Sequence, residues 1–584
     1  MVQRVVTPNR GTRQRDVLML CAVATALLLP NLGGPRLWAD EGDTAVFART
    51  IVARGLPFAW DGRTFTDSDR GRRLNADLLL VGTPWLPYYV TAGSFAVLGE
   101  SAFSARLPFA LCGVASVALL YLLVLRLTAD RRAALAAAVL LLGSVQFLLY
   151  ARQCRHYSLN ALLTLVVLIG FLRLRERPRD PLFAIAAVLL YHTHPLPAVA
   201  TLAAAGGLAV LHPAFRAARR PFFGWLAVVV LLALPWLWVS FGGWQENSSF
   251  LASAGELPLR LAQVGIEAAE FAPLLGWLVL AIAAARRLGT GDRAFLALAG
   301  AGIATPLLLL ALSLSVGELF ALGLRYVVGI LPLAAGVTGV LAARASRSSN
   351  LGLAALLVLF TATHLPGASL LFAAFPKGIV HDRTGLTFHQ PQRPIGPWLR
   401  LELPGYLREL SKTDPGSVTW IAEELAKRAS PEDILITNYE WEPLYFHTNL
   451  RQGLKIFPEH EIVEAARAQG LPSYVFEAKG ARWVVWRDPW EGSHLGYRLA
   501  RVRRELALSG ARLQRVASVP ETVWENRPEL HFHRFPGLDH IYPLDIARFG
   551  YAPGRSATIF RVIEGEAPAE GPRAERTKRP DAEP

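Results

Sequence analysis

The sequence predicts a polytopic α-helical membrane protein with about 11 transmembrane helices and a C-terminal extracytoplasmic α/β domain. Three observations predict this fold class. The chain of 584 residues is 52% hydrophobic and has a mean hydropathy of +0.32, values that soluble domains seldom reach. Apolar runs of roughly 17 to 23 residues, long enough to cross a bilayer, recur between short Arg-rich links. After residue 371 these runs stop and a mixed, alternating pattern begins.

The apolar runs predict eleven membrane spans. They are residues 17–33, 104–126, 132–150, 157–174, 181–193, 196–212, 221–240, 271–286, 294–315, 321–342 and 350–370. The fifth and sixth spans are short. Pro195 lies between them, and it ends a helix because proline lacks the N–H that a helix interior needs.

The distribution of arginine predicts the orientation of these spans. With a cytoplasmic N-terminus, the inside segments contain about nineteen arginines, whereas the short outside links contain about three. This bias also decides how to interpret the apolar segment at residues 82–99. If that segment were a span, every later loop would change sides of the membrane and the charge bias would be lost. We therefore predict that this segment is an interfacial helix within a long first outer loop, residues 34–103.

The charge and the cysteines exclude two classes of function. A formal net charge of +14 would indicate a nucleic-acid partner in a soluble protein. Here much of the excess lies in short loops, and the positive-inside bias explains it, so no nucleic-acid partner is expected. The three cysteines, Cys21, Cys112 and Cys154, offer neither a disulfide framework nor a Cys-based zinc site.

The domain organisation follows from the change in composition. Residues 1–375 form the predicted membrane domain. Residues 380–563 mix strand-like segments such as "DILITNY" with helix-like ones, which predicts one soluble α/β domain. An odd number of spans places that domain outside. Residues 564–584 are rich in Pro, Ala and charge and are expected to be disordered.

Four clusters of polar residues fall at the outer boundary of the predicted membrane. They are Asp40, Glu41 and Asp43; Arg152, Arg155, His156 and Tyr157; His192 and His194; and Glu318, Arg325 and Tyr326. Ionisable residues at this depth are costly and are candidates for a functional site. Their common depth favours a substrate whose tail stays in lipid while its charged head reaches the outer interface.

Each cluster also has a structural interpretation. A carboxylate after a span can simply mark the helix exit, and the arginines at 152 and 155 can reach to the interface. The "HTHP" segment can cap a helix end, and its two histidines do not share a helical face, which weakens a metal site. Arg325 is harder to dismiss, because a guanidinium within an apolar span needs an anion. Glu318, Asp40 or a ligand phosphate could supply it.

Several segments in fixed order resemble a known family. They are "ADEGDTA", "GTPWLPYY", "ESAFSARLPFALCGVASVALLYLL", "LLYARQCRHYSLNALLTLVVLIGFLRL" and "LRYVVGILPLAA". Together they resemble the GT-C membrane glycosyltransferases, specifically the branch of protein O-mannosyltransferases and lipid A aminoarabinose transferases, glycosyltransferase families 39 and 83. The resemblance covers most of residues 15–345 and implies a GT-C type fold for the membrane domain.

The chain departs from the family pattern at three positions. Thr83 stands where the aminoarabinose transferases have a lysine, and Trp85 replaces the second proline of the same element. Tyr157 stands near the place where many relatives have an aspartate. Any phosphate-binding role of the missing lysine must therefore pass to other cations, for which Arg152, Arg155 and Arg325 are the candidates.

The resemblance implies an inverting transfer of a sugar from a polyprenyl-phosphate donor to an acceptor hydroxyl outside the membrane. In that mechanism Asp40 is the general base, and Glu41 orients it or binds the acceptor. The donor phosphate is expected at Arg325, with Arg155, Arg152 and Tyr326 beside it. No cofactor is required, although a divalent cation is compatible with these carboxylates and histidines.

The remaining candidates are assigned to donor or acceptor binding. They are Asp43, Thr83, Trp85, Tyr88, Tyr89, His156, Tyr157, His192, His194 and Glu318. The aromatic residues of "PWLPYY" could stack on the sugar, line a lipid groove or form a plain interfacial belt. The acceptor is a lipid, a glycan or a protein. The residue usage is typical of a bacterium with a GC-rich genome, so we expect an inner (plasma) membrane location and an undecaprenyl or decaprenyl carrier.

Three other functions remain open from the sequence. A transporter would place its polar groups near the membrane midplane, often within inverted repeats, and neither feature is visible. Another lipid-linked glycan transferase or ligase would share the fold type and differ in its donor. A non-catalytic scaffold would only present the outer domain. Substituting Asp40 distinguishes the enzymes from the scaffold and the transporter.

Overall fold

The structure is a computed structural model. It describes residues 9–66, 71, 73–245, 257–268, 272–313, 323–363, 380–382, 385–387, 402–412, 416–437, 441–454, 460–487, 502, 504–507, 510–520 and 556–564. The predicted tail beyond residue 564, the candidate Glu318 and the predicted boundary at 375–380 lie almost wholly outside these residues.

The described part of the membrane domain is helical. Its helices are α1 (Arg10–Leu28), α2 (Ala39–Arg54), α3 (Leu86–Leu98), α4 (Ala102–Thr128), α5 (Arg131–Leu142), α6 (Val145–Ala151), α7 (His156–Arg173), α8 (Leu182–Thr193), α9 (Pro195–Leu211), α10 (Arg219–Gln245), α11 (Leu257–Ala268), α12 (Leu274–Ala284), α13 (Thr290–Ser313), α14 (Ile330–Ala345) and α15 (Asn350–Ala362). Short 3₁₀ turns occupy Pro213–Ala218, Ala285–Arg287 and Gly323–Val327.

Within the described residues, four helical segments are long and apolar enough to cross a membrane: Ala102–Thr128, His156–Arg173, Pro213–Leu237 and Thr290–Leu312. A fifth arises if α5 and α6, which meet at an angle of 67°, count as one span. The other predicted spans correspond to shorter or less apolar helices, so eleven spans stay a prediction. The first predicted span, 17–33, is displaced, because α1 begins at Arg10 and ends at Leu28.

The helices pack through small residues, as expected for a bundle in lipid, where close backbone approach supplies the van der Waals contact. Gly339 on α14 is one example, since a Cβ atom there would lie 2.5 Å from the backbone nitrogen of Ala137 on α5. The same position would place that atom 3.0 Å from the Ala137 side chain. Helices α5 and α14 therefore depend on glycine at this crossing.

We expect Gly339→Ala to lower the thermal midpoint of the purified protein in detergent, because the colliding atom is backbone and cannot rotate away. Overpacking of this kind costs about 1–3 kcal/mol. Gly300→Ala on α13 is the matched control, since a Cβ atom there meets nothing within 4 Å. If the thermal midpoint of Gly339→Ala equals that of Gly300→Ala, the two helices can move apart at this crossing without loss of stability.

Ion pairs join the helix ends opposite the candidate site. Asp16 of α1 accepts from the Arg131 guanidinium at 2.6 Å and from the Tyr121 hydroxyl at 2.8 Å. Arg344 of α14 bridges Asp130 at 2.6 Å and Asp292 at 2.8 Å. All of these residues except Tyr121 belong to the Arg-rich segments that the sequence predicts to be cytoplasmic.

The first outer loop contains two helices. Helix α3 (Leu86–Leu98) lies within the segment that the sequence predicted to be an interfacial helix. Between α2 and α3 the chain folds back on itself through isolated bridges, Phe58 with Leu79, Trp60 with Phe65 and Leu74 with Leu80. The loop is therefore an ordered unit in the described residues.

The C-terminal part contains a mixed sheet and short helices. Its elements are β1 (Val380–Asp382), β2 (Gly385–Thr387), α16 (Glu402–Glu409), α17 (Ser417–Ala426), β3 (Ile434–Thr437), α18 (Trp441–Thr448), β4 (Arg451–Gln452), α19 (His460–Ala468), β5 (Ala481–Arg487), β6 (Ala511–Pro520) and β7 (Ser556–Glu564). Five strands pair in the order β4-β3-β5-β7-β6. Strand β3 is parallel to β4 and β5, and β7 is antiparallel to β5 and β6.

Successive residues of the central strands face opposite sides of this sheet, as strand geometry requires. Leu435 and Val485 belong to one apolar cluster, whereas Ile436 and Val484 belong to another. Both faces are thus covered, which is typical of the parallel part of an α/β sheet.

The C-terminal part packs directly on the first outer loop. The backbone N–H of Leu37 donates to His447 Nε2 at 3.0 Å, and Arg63 donates to Glu432 at 3.0 Å. A Cβ atom on Gly42 of α2 would lie 2.7 Å from Pro443 of α18. Helix α2 is therefore held between the membrane helices and the C-terminal part, which fixes the position of its first turn.

Candidate active site

The first turn of α2 contains Asp40 and Glu41, and Asp43 follows in the next turn. Asp40 and Glu41 lie next to each other in the first turn, but a helix rotates about 100° per residue, so their side chains leave in different directions. Asp40 remains 29% exposed, whereas the Glu41 side chain is 0% exposed. The two carboxylates therefore cannot share one role.

Glu41 is an internal anchor. Its carboxylate accepts two hydrogen bonds from Arg106 of α4, at 2.8 and 2.6 Å, and one from the backbone N–H of Cys154 at 3.1 Å. The remaining Arg106 donors reach the carbonyls of residues 32, 35 and 36. Glu41 thus joins α2, α4 and the 152–155 turn. These contacts fit the orienting role predicted for it and leave no open face for an acceptor.

Asp40 meets the arginines that the sequence singled out. Arg325 Nη1 donates to Asp40 Oδ2 at 3.1 Å, and Arg155 Nη2 lies 3.7 Å from the same oxygen. Arg155 also donates to the Asp40 carbonyl and to Thr44 Oγ1, both at 3.0 Å, and lies 3.8 Å from Asp43. Segments 285 residues apart in sequence therefore converge on one carboxylate.

The charge of Arg155 is secured by its surroundings. Burial alone would lower its pKa, but the negative charges of Asp40 and Asp43 outweigh burial and leave the pKa of Arg155 raised. A permanently charged guanidinium next to a partly exposed carboxylate is suited to receive a phosphate.

Arg152 is placed differently from its neighbour. Its guanidinium donates to the carbonyls of Leu28, Pro30 and Asn31, at 3.2, 2.9 and 3.1 Å, and it is only 5% exposed. It satisfies carbonyls at the end of α1 that have no partner within the helix. The predicted phosphate role of Arg152 is therefore replaced by a capping role.

Histidine and tyrosine rings gather beside the Asp40–Arg325 pair. His156 lies 4.9 Å from His194 and 6.1 Å from Tyr326, measured between ring centroids, and the His194 and Tyr326 centroids are 5.3 Å apart. Arg325 donates to the Tyr326 hydroxyl at 3.0 Å. Tyr157 is fully buried against His156 and Tyr150. Members of all four polar clusters thus meet here, namely Asp40, Arg155, His156, His194, Arg325 and Tyr326.

His192 and the aromatic segment of the first loop form a neighbouring group. Trp85 lies 5.2 Å from Trp236, and His192 lies 6.3 Å from the same ring. The Tyr89 hydroxyl donates to the Gly55 carbonyl at 2.7 Å. Tyr88 is buried against Phe47, and burial together with Asp43 raises its pKa. His192 therefore lies beside Trp236, whereas His194 lies beside His156 and Tyr326.

Arg73 is a further candidate site residue, which the sequence did not suggest. Its guanidinium donates to Thr83 Oγ1 at 3.3 Å, at the position where the resembling family has a lysine. Its positive charge acts on His194 together with those of Arg155 and Arg325. The signal in the sequence was the lost lysine itself, which calls for a replacement cation, but the fold of the loop was needed to identify it.

Metal coordination finds little support in this arrangement. Among the described residues no group of three or more His, Cys, Asp or Glu side chains is placed to hold a metal ion. The compatible divalent cation therefore stays a prediction.

A separate cavity of about 760 Å³ opens between the first outer loop and the C-terminal part. Its lining includes Arg36, Arg49, Asp61, Glu100 and His447. Arg49 lies nine positions after Asp40 on α2, which at about 100° per residue puts it on the opposite face of the helix. This cavity is thus distinct from the Asp40 site.

Comparisons with known proteins agree with the fold described above. The profile of the family described as dolichyl-phosphate-mannose-protein mannosyltransferase matches residues 82–239, about a quarter of the chain. No curated protein sequence matches the chain. Among solved structures, ArnT from Cupriavidus metallidurans in the apo state superposes with a TM-score of 0.51 at 17% identity, covering 87% of this chain and 96% of ArnT. The same protein bound to undecaprenyl phosphate gives 0.50 at 17% identity, covering 86% and 96%.

The chain has the GT-C fold. The resemblance seen in the sequence is confirmed at this level, and the apolar helices make the chain a multi-pass membrane protein. At 17% identity the likeness establishes the fold, so the chemistry is argued from the residues of this chain.

Proposed function

We propose that the protein is an inverting glycosyltransferase that moves a sugar from a polyprenyl-phosphate donor to an acceptor hydroxyl on the extracytoplasmic side of the membrane. The observation that carries this proposal is the partly exposed carboxylate of Asp40, 3.1 Å from Arg325 and 3.7 Å from Arg155. A general base and two phosphate-binding cations are thereby within reach of one bound donor. ArnT has a similar fold and has been crystallised with undecaprenyl phosphate, which supports a lipid-phosphate ligand for this chain.

The transfer needs a base because an acceptor hydroxyl is a weak nucleophile. The hydroxyl oxygen bonds to the anomeric carbon of the donor, its proton passes to Asp40, and the bond between that carbon and the phosphate oxygen breaks. The electron pair leaves with the lipid phosphate. Attack opposite the leaving group inverts the anomeric centre in a single displacement.

Binding of the donor phosphate would also free the base. In this proposal the donor phosphate competes with Asp40 for Arg325, because both are anions that accept from the same guanidinium. Donor binding then draws Arg325 away from the carboxylate and leaves Asp40 more basic. Arg155 and Arg73 complete the set of cations, and Arg73 takes over the place of the lysine absent at Thr83.

The predicted orientation is kept in this proposal. One end of the bundle holds the candidate site, with Asp40, Arg155, His194 and Arg325. Other helix ends hold the ion pairs of Arg131 and Arg344, which belong to the Arg-rich segments. The positive-inside bias assigns those ion pairs to the cytoplasm. The C-terminal part, which packs on the first outer loop, would then help to select the acceptor.

Deletion of the gene in its native host, followed by mass spectrometry of envelope lipids, glycans and glycoproteins, tests the proposal. We expect one class of molecule to lose a single sugar and its unsubstituted precursor to accumulate. Restoration by the wild-type gene ties the loss to this protein. An unaltered envelope together with altered export of a lipid would favour the transporter instead.

Arg73→Ala is expected to weaken binding of undecaprenyl phosphate by roughly 10- to 100-fold, because a hydrogen bond to a charged group contributes about 1.5–3 kcal/mol. Arg73→Lys should retain part of the affinity, since it restores the charge without the planar fork. Native mass spectrometry of the purified protein in detergent measures both.

The matched control is Arg126→Ala, which removes an exposed arginine paired with Glu176. An affinity of Arg73→Ala equal to that of Arg126→Ala would remove Arg73 from the phosphate site and leave Arg155 and Arg325 as the cations.

A further inference from the structure

One face of α7 carries polar side chains from the candidate site into the bundle. His156, Asn160 and Thr164 are spaced four residues apart, so they line one side of the helix. His156 contacts the rings of His194 and Tyr326 at the outer end of this face. Thr164 marks its inner end, since its Oγ1 would lie 2.7 Å from a Cβ atom on Gly329.

These polar groups are buried and need partners. His156 is 8% exposed, Asn160 0% and Thr164 3%. Within the described residues, His156 Nε2, both amide atoms of Asn160 and Thr164 Oγ1 have no hydrogen-bond partner. A buried amide without partners costs several kcal/mol in an apolar medium, and native proteins satisfy nearly all such groups. Asn160 therefore points to something polar that is not part of the described chain.

Within the described residues, the rings that contact His156 belong to His194 and Tyr326, and neither side chain is a carboxylate. Burial lowers the pKa of His194 to about 3, with Arg73, Arg155 and Arg325 adding to the shift, so its ring carries no charge at physiological pH. His194 Nδ1 accepts from the Leu196 N–H at 3.3 Å, which leaves Nε2–H as a donor. Helix α7 itself contains no carboxylate. The cations, Arg155 and Arg325, lie at the outer end of the face, beside Asp40.

This arrangement separates two kinds of recognition. Charge at the rim suits a phosphate, and neutral donors and acceptors below it suit hydroxyl groups. An asparagine amide both donates and accepts, as a pair of neighbouring sugar hydroxyls does. An amino sugar would require a nearby carboxylate, and a uronic acid a nearby cation, at the depth of Asn160.

We propose that His156, Asn160 and Thr164 form a subsite for the hydroxyl groups of the donor sugar, and that this sugar is neutral. The inference rests on the proposed function, because it assumes a sugar-bearing lipid phosphate at Arg325.

Asn160→Leu tests the subsite, since leucine has a similar volume and no hydrogen-bonding group. The probes are undecaprenyl phosphate and a panel of undecaprenyl-phosphate monosaccharides that carry glucose, mannose, galactose, arabinose or 4-amino-4-deoxyarabinose. We expect the wild-type protein to bind a neutral sugar lipid most tightly. Asn160→Leu should lower that affinity roughly 10- to 100-fold and leave the affinity for undecaprenyl phosphate unchanged.

Ser158→Ala is the matched control. Ser158 lies on α7, is 1% exposed and also has no partner among the described residues, but two residues of helix turn it to another face. Its removal should change neither affinity.

Three results would overturn the subsite. They are equal losses of affinity for sugar-bearing and sugar-free lipids, unchanged affinities in Asn160→Leu, and tightest wild-type binding of the amino-sugar lipid. A wild-type protein that binds none of these lipids would overturn the proposed function itself, which is a separate and recognisable result.

Discussion

Asp40→Asn is expected to lower the rate of sugar transfer about 100- to 10,000-fold, the range that general-base catalysis supplies. The amide keeps the shape of the side chain and its place in the first turn of α2, but it cannot take the acceptor proton. The loss should fall on kcat. In the variant, donor binding no longer has to break an ion pair between Arg325 and Asp40. The affinity for the donor should therefore stay equal or rise.

The measurement has two parts. Sugar transfer is followed on the acceptor fraction that the deletion strain accumulates, and binding of undecaprenyl phosphate is measured on the purified protein. Glu176→Gln makes the same chemical change at an exposed carboxylate paired with Arg126, and it should leave both quantities unchanged. Transfer by Asp40→Asn at more than about a tenth of the wild-type rate would exclude Asp40 as the base.

The pairing of Asp40 with Arg325 was one of three possibilities that the sequence left open, since Glu318 or a ligand phosphate could also have supplied the anion. Alternating spans place both residues at one boundary, and a guanidinium in an apolar segment requires an anion. The same reasoning brought Arg155, His156 and His194 to this place, and the structure brings all of them together. Membrane topology is a strong constraint because it fixes the depth of each residue in the bilayer, and only residues at the same depth can meet.

Roles within a cluster could not be read in the same way. Asp40 and Glu41 are adjacent in sequence, and Arg152 and Arg155 lie within one turn. In each pair one side chain makes only structural contacts: Glu41 pairs with Arg106, and Arg152 donates to backbone carbonyls. Which member turns inward depends on helix phase and on distant partners such as Arg106. Periodicity in one segment does not fix the phase against another helix.

Two further residues were missed for different reasons. Arg73 lies in a loop whose course is set by backbone pairs between parts of the loop itself, such as Phe58 with Leu79, so the residues next to Arg73 in sequence do not mark it. Asn160 did leave a signal, since it is a lone amide within an apolar span, and such residues are functional candidates by default. The candidates that the sequence suggested lie at the ends of spans, whereas Asn160 lies one turn inside α7.

Removal of the Arg106 guanidinium is expected to be the most damaging change to the fold. Arg106→Met would leave the buried Glu41 carboxylate without its cation and three carbonyls without their donor. Breaking a buried ion pair on one side costs about 3–5 kcal/mol, a large fraction of the stability of a typical domain. We expect little folded protein in the membrane, judged by the monodisperse fraction after detergent extraction.

A double variant tests whether the loss of folded protein is caused by the unpaired negative charge of Glu41. Glu41→Gln in the Arg106→Met background removes the uncompensated carboxylate, and its amide oxygen can still accept from the Cys154 N–H, so folded protein should partly return. Arg126→Met, which breaks the exposed pair with Glu176, should behave as the wild type. Equal yields for Arg106→Met and Arg126→Met would mean that the Glu41 carboxylate finds another partner, and that the Arg106–Glu41 pair is not required for folding.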